Sequence, residues 1–147
     1  MEFIVEKALD SIPEQNEFAD MNQANIRVIG VGGAGNNMVG WLYKKGIKGA
    51  EIIATNTDYQ HLGITGADRK FLIGKDCTRG LGCGGYPTKG AEAAQESMME
   101  VKEALKGSDM AFVCAGMGGG TGTGASPVVA QVAKDTGAIV IGTVTMP

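Results

Sequence analysis

Two stretches of glycine, each between an apolar run and a helix-forming run, constrain this chain more than any other feature. The first is Gly30-Val-Gly32-Gly-Ala-Gly35; the second is Gly116-Met-Gly-Gly-Gly-Thr-Gly-Thr-Gly124. Glycine makes up 24 of 147 residues, more than twice the usual share of about 7%. The excess gathers at 30–35, 80–90 and 116–124, so it marks loops with special backbone demands and not a low-complexity tail.

Around these loops the chain alternates. Apolar runs predict strands at 26–30, 51–55, 70–73, 110–114 and 138–145. Helices are expected at 36–45, with Met38, Trp41 and Leu42 on one face, and at 91–105, with Ala94, Met98, Val101 and Leu105 as the apolar stripe. A third is expected at 127–134, with Pro127 in its first turn, and 74–90 reads as a glycine-rich loop. Strands that are apolar throughout and separated by helices imply an α/β fold: a Rossmann-like parallel sheet with helices on both faces. Ligands bind such sheets at the carboxyl ends of the strands, and both glycine loops fall on that edge.

Residues 1–24 stand apart. They hold six acids and one base, which leaves +2 for residues 25–147 of a total net charge of −3. Phe3, Ile4 and Leu9 are spaced for a short helix, but this composition favours a mobile, acidic leader ahead of one domain at 25–147. The chain stops at Met146-Pro147, directly after an apolar strand, and reads as the first part of a longer domain.

Charge and composition exclude several functions. A net charge of −3 gives no footprint for nucleic acid. No apolar run is long enough to span a bilayer and no signal peptide is visible, so a cytoplasmic location is expected. Cys77, Cys83 and Cys114 lack CxxC spacing and are expected to be free thiols; His61 stands alone, and no metal-ligating set is assigned.

The first loop satisfies GxGxxG between a strand and a helix. Its glycines let the backbone approach a phosphate, and the helix start presents free N–H groups to the anion. Asn36 and Asn37 add side-chain donors at the first turn. Asp58 lies 23 residues after Gly35, where a dinucleotide fold places its ribose-binding acid. This loop alone therefore leaves open an NAD(P)-binding oxidoreductase domain. The second loop discriminates. Five glycines in residues 118–124 present a run of N–H groups to one anion, and Thr121 and Thr123 add hydroxyls. A dinucleotide needs no second cradle after a later strand; a nucleoside triphosphate does. A Walker P-loop is excluded, because Gly74-Lys75 is followed by Asp76 and no other Gly-Lys precedes Ser or Thr.

Gly-Gly-Gly-Thr-Gly-Thr-Gly at 118–124 resembles the signature of the tubulin/FtsZ family of GTPases. Gly-Gly-Ala-Gly-Asn-Asn at 32–37, Asn56-Thr-Asp58 and Thr78-Arg-Gly-Leu-Gly-Cys-Gly-Gly-Tyr-Pro87 resemble its other loops, in order and spacing. The likeness covers about 26–147, and 45–52 looks more like archaeal than bacterial members. The resemblance implies the N-terminal half of that family's GTP-binding domain, with GTP or GDP and Mg²⁺ as ligands. Gly33, Ala34, Gly35, Asn36 and Asn37 would hold the α/β-phosphates. Gly120, Thr121 and Gly122 would grip the β/γ region, with Gly118, Gly119, Thr123 and Gly124 shaping the nest. Cys83 and Gly84 would lie by the γ-phosphate, and Asp58 near the phosphates and the metal's water shell.

In the third loop Cys83, Tyr86 and Thr88 replace the family's common Ala, Asn and Glu, which puts the last two side-chain roles in doubt. The resemblance further implies a subunit that polymerises with itself head to tail and forms the cell-division ring at mid-cell. It would meet division-ring adaptor proteins, and membranes only indirectly. The base pocket and the catalytic acids are expected beyond residue 147, so no catalytic residue is assigned within this chain.

Overall fold

The computed structural model describes residues 23–147. The expected acidic leader, including the spacing of Phe3, Ile4 and Leu9, lies outside the described residues except for its last two positions.

Five strands form one sheet: β1 (Ile26–Val31), β2 (Ala50–Asn56), β3 (Arg69–Leu72), β4 (Met110–Gly116) and β5 (Ile139–Thr145). Their order is β3-β2-β1-β4-β5 and every neighbouring pair is parallel. The order reverses direction at β1, so the crevice between the carboxyl ends of β1 and β4 is the topological switch point, where open α/β sheets bind ligands. Both principal glycine loops leave the sheet there.

Helices cover both faces, as expected. Helix α1 (Gly32–Lys45) and helix α2 (Tyr59–Ile64) lie on one side, where Val28, Val39, Ile52, Ala54 and Leu62 form a small core. On the other side lie α4 (Pro87–Glu96), α5 (Met98–Leu105) and α6 (Thr121–Asp135). There Ile29, Val31, Ile53, Val101, Leu105, Val113, Val129 and Val132 make the larger core. A single turn, α3 (Lys75–Thr78), sits in the stretch expected to be loop. Helix α1 stops at Gly46, whose left-handed φ of 70° lets its N–H close onto the Tyr43 carbonyl at 3.0 Å; Lys44 and Lys45 complement the dipole.

Three helix expectations change. The buried face of α1 is Gly32, Gly35, Asn36 and Val39; of the expected stripe Met38 and Leu42 are half-buried against the core, while Trp41 is 60% exposed. Small residues make the contact because the helix runs close against the sheet. The helix expected over 91–105 is two helices, broken at Ser97 (φ −97°, ψ 16°), where the Ser97 hydroxyl accepts the Gly74 N–H at 3.0 Å. Met98, just past the break, is 40% exposed and leaves the expected stripe. Helix α6 begins at Thr121, six residues before the expected start, and Pro127 sits inside it. Half of the second glycine loop is therefore the first turn of a helix.

Strand β5 has little cover: Ile139, Ile141 and Val144 are all exposed.

Candidate functional site

The two glycine loops interlock at the switch point, and several of their glycines are there because nothing larger fits. Gly32 has φ 75°, and a β-carbon on it would meet the Gly122 nitrogen at 2.8 Å and the Thr121 β-carbon at 3.2 Å. A β-carbon on Gly35 would overlap the Cys114 carbonyl, and one on Gly124 would overlap the Pro87 carbonyl. A β-carbon on Gly120 would lie 2.8 Å from the Cys83 β-carbon and 2.9 Å from the Tyr86 nitrogen. These positions bring α1 onto β4, α6 onto α4, and the third loop onto the second.

Two glycines differ. Gly119 meets nothing within 4 Å, and Gly33 meets only His61 Nε2 at 4.0 Å. Both face a cleft of ≈ 290 Å³ lined by Val31, Gly33, Ala34, Gly116, Met117, Gly119, Gly120, Thr121, Gly122 and Thr145. That is near the lower end of small-molecule sites. Helix α6 points its N-terminus at the cleft, so the first-turn N–H groups have no partner within the helix. Among the described residues the N–H groups of Gly119 and Gly120 also find no partner. An anion is the ligand this wall suits: unpaired donors, a helix dipole and room left by absent side chains.

The expected site residues of the two glycine loops, the asparagines aside, divide into three groups. Gly33, Ala34, Gly119, Gly120, Thr121 and Gly122 line the cleft. Gly35 and Gly124 act in packing. Gly118 (φ 104°) and Thr123 bond to each other: the Gly118 N–H donates to Thr123 Oγ1 at 2.9 Å. They shape the turn that delivers Gly119 and Gly120.

Of the two asparagines, Asn37 is exposed. Asn36 is 1% exposed, and neither atom of its amide has a partner. Its Oδ1 lies 2.8 Å from where a β-carbon on Gly30 would stand, so the side chain turns back beneath the loop instead of forward as a donor. Asp58 caps α2, Oδ1 accepting the His61 N–H at 3.0 Å. Its other carboxylate oxygen is not used by that cap. Cys83 is 4% exposed, and Gly84 sits beside it in the exposed tip with φ 58°.

Several residues were not anticipated. Thr57, fully buried at the end of β2, places its Oγ1 2.7 Å from Thr121 Oγ1. Thr145, at the end of β5, accepts the Met117 N–H on its carbonyl at 2.8 Å and closes one side of the cleft. His61, alone in the sequence, stands beside Gly33 and 3.4 Å from Asn56 Nδ2. Thr57 lies inside a recognised motif; Thr145 and His61 carry no local signal.

A second cleft of ≈ 320 Å³ opens at the opposite edge of the sheet, beside Asn25, Arg27, Gly49 and Glu51. Its charges are used internally. Arg27 donates to Glu51 at 2.9 Å and to the Lys106 carbonyl and Ser108 hydroxyl at 2.6 Å each. It lies at the amino ends of the strands and offers no comparable run of free donors.

Comparison with known proteins follows the same lines. The model of the Tubulin/FtsZ family, GTPase domain, matches residues 25–147. "Cell division protein FtsZ 2" of Methanocaldococcus jannaschii is 58% identical over 128 residues, covering 87% of this chain and 34% of that protein. "Cell division protein FtsZ 1" of Archaeoglobus fulgidus is 58% identical over 122 residues, covering 83% and 33%. The chain thus spans about a third of the length of these curated relatives. Among solved structures, an empty FtsZ dimer from M. jannaschii superposes with a TM-score of 0.88 at 52% identity, covering 91% of this chain and 39% of that one. CetZ from Methanosaeta thermophila, at 24% identity and a TM-score of 0.70, shares the fold.

Proposed function

The chain belongs to the tubulin/FtsZ family, and on that premise we propose that it forms the phosphate-binding part of a polymerising, cell-division GTPase. One observation carries the reading: loops from β1 and β4 wall a single cleft at the switch point of the sheet, with unpaired N–H groups on one side and no β-carbon at Gly33 or Gly119. An NAD(P)-dependent oxidoreductase, the alternative left open by the first loop, loses its ground. The family is not one of oxidoreductases, and Asp58 spends one oxygen on capping α2.

In this reading Gly33 and Ala34 hold the α/β-phosphates of GTP or GDP from the start of α1. Gly119, Gly120, Thr121 and Gly122 grip the β/γ region from the start of α6. Gly35, Gly118, Thr123 and Gly124 set the shape of both loops, and Asn36 and Asn37 support the first. Cys83 and Gly84 stand at the γ end. Mg²⁺ keeps most of its waters and takes one or two carboxylates plus the phosphates; Asp58, which caps α2 through Oδ1 and lines a neighbouring hollow with Tyr59 and Arg79 and not the glycine cleft, would meet the ion through that water shell. When bound, the ion neutralises phosphate charge. The residues here orient and desolvate the phosphate chain; none of the 147 is assigned as general base.

For the full-length protein we propose head-to-tail assembly with copies of itself, GTP hydrolysis at the subunit contact, and a division ring at mid-cell in the cytoplasm. Adaptor proteins would provide its only link to the membrane. A contact that repeats without closing gives filaments. GTP turnover per subunit, measured against protein concentration, tests the shared site. A steep rise is expected; a rate per subunit independent of concentration would sink it.

A further inference from the structure

We propose that Cys83, Thr57 and Thr121 form a closed ring of hydrogen bonds that competes with the bound phosphates for the Thr121 hydroxyl, so that nucleotide binding must open the ring. The proposal rests on the phosphate-binding reading above.

The three groups meet from three separate segments: the end of β2, the third loop and the first residue of α6. The Cys83 thiol donates to Thr57 Oγ1 at 3.4 Å, and the Thr121 hydroxyl donates to Cys83 Sγ at 3.4 Å. Thr57 Oγ1 and Thr121 Oγ1 lie 2.7 Å apart, with either as donor. Each group owns one hydrogen. With Thr57 donating to Thr121, every group donates once and accepts once, and no hydrogen is left over. Thr57 is 0% exposed and Cys83 is 4% exposed, so water cannot readily replace a missing partner.

Thr121 is the only member of the ring that lines the cleft. An ionised phosphate oxygen has no hydrogen and takes only donors. The single Thr121 hydrogen therefore points at Sγ or at the phosphate, not at both. Phosphate wins, because a charged oxygen is a far better acceptor than a thiol sulfur. The cost of breaking the ring is subtracted from the affinity.

Position gives this choice a consequence. Gly120 is pressed against Cys83, Gly85 and Tyr86, so the third loop rests directly on the second. Thr57 also holds the third loop through its carbonyl, which accepts the Gly82 N–H at 3.1 Å. That backbone tie does not depend on Thr121. The ring is the breakable part: once Thr121 turns to phosphate, Cys83 keeps its bond to Thr57 and loses its bond to the second loop. Occupancy of the cleft is thereby reported to residues 82–86.

Titration of the full-length protein with a fluorescent GTP analogue tests this. Cys83→Ala removes the acceptor that competes for the Thr121 hydrogen and should bind roughly two- to tenfold tighter, the range for one neutral hydrogen bond. Cys83→Ser closes the ring with a better acceptor than sulfur and should bind more weakly than the parent. Ala and Ser at 83 moving in the same direction would mean that only packing matters there and would overturn the ring, as would weaker or unchanged binding by Cys83→Ala. If Cys83→Ala does not fold, Cys83→Gly against Cys83→Ser carries the same comparison, with tighter binding expected only for Gly. A parent that binds no GTP analogue would instead overturn the phosphate-binding reading itself.

Discussion

A β-carbon on Gly122 would come within 2.5 Å of the Gly116 carbonyl oxygen, and the buried Gly122 is also the residue that Gly32 presses upon. The first turn of α6 and the last residue of β4 are therefore joined backbone to backbone. Gly119, three residues earlier, is exposed and meets nothing within 4 Å. The two glycines separate folding from binding. Gly122→Ala should lower stability by about 1–3 kcal/mol through overpacking. Gly119→Ala should leave it within about 0.5 kcal/mol, as an exposed substitution does. It should nevertheless weaken GTP binding about tenfold by placing a methyl group in the cradle, the equivalent of one lost charge-assisted hydrogen bond. Thermal unfolding and nucleotide titration of the two variants give both readouts. Loss of stability in Gly119→Ala would contradict the open space seen beside it.

Asp58 offers a similar separation. Its Oδ1 caps α2 by accepting the His61 N–H, a task that asparagine performs as well. Its charge is what a hydrated Mg²⁺ would use. Asp58→Asn should keep the melting temperature and raise the Mg²⁺ concentration needed for tight GTP binding. Asp58→Ala should do the same and also lose about 1 kcal/mol of stability with the cap. If both variants bind GTP with the parent's Mg²⁺ dependence, Asp58 is a capping residue only.

Much of this arrangement was legible in the sequence. Each strand is an apolar run, and the two that matter end in glycine, so a parallel sheet with both loops on one edge follows from composition and order. Strand order did not follow: the pairing of β1 with β4 depends on contacts such as Gly30 with Cys114, which no local pattern encodes. The sheet-facing side of α1 was read only in part: Met38 and Leu42 pack against the core, but hydropathy rewards the exposed Trp41 and ignores Gly32 and Gly35, which make the closest contact. The start of α6 was placed late because Thr-Gly-Thr-Gly reads as loop; here free N–H groups and close packing outweigh low helix propensity. The break at Ser97 was hidden because the apolar period carries across it, while its cause, the Gly74 N–H, lies 23 residues away. The cleft glycines were found, but Thr57 meeting Thr121 across 64 residues was not, because a buried threonine beside a motif looks like any other core residue.

Cys77 is partly accessible yet should react slowly. Burial pushes its thiol up, and the hydrogen bond and charge of Glu96 push it further, to about 11 against an ordinary 9.0. The thiolate is the reactive form, so at pH 8 only a very small fraction is available. Glu96 also accepts the Asp76 N–H on one carboxylate oxygen at 2.9 Å and the Cys77 N–H on the other at 3.1 Å, and glutamine, with one carbonyl oxygen, can retain one of the two. Glu96→Gln should therefore speed alkylation of Cys77 at pH 8 severalfold without unfolding α3. Peptide-resolved iodoacetamide labelling measures it, and an unchanged rate would show that Glu96 does not govern the thiol.

Glu51 ties the amino ends of β1, β2 and β3 together. Arg27 donates to it at 2.9 Å from β1, and Arg69 donates at 3.1 Å from β3. Partial burial alone would raise its carboxyl, but the two guanidiniums outweigh that and hold it below the ordinary 4.5. A carboxylate whose folded value lies below its unfolded one contributes stability that is fully present above the unfolded value, and that is lost as pH falls through the folded one. The parent should therefore hold its stability down to about pH 4.5 and lose it steadily below. Glu51→Gln should start lower at pH 7, where two arginines lose their counter-ion, and should fall less between pH 4.5 and 3. Glu51 remains 32% exposed, so solvent screens the interaction and the gap should shrink further in high salt. Melting temperatures of parent and variant from pH 7 to pH 3 should converge at the acid end. Parallel curves over that range would mean that this carboxylate contributes nothing to acid sensitivity, and that the arginine clamp acts through packing alone.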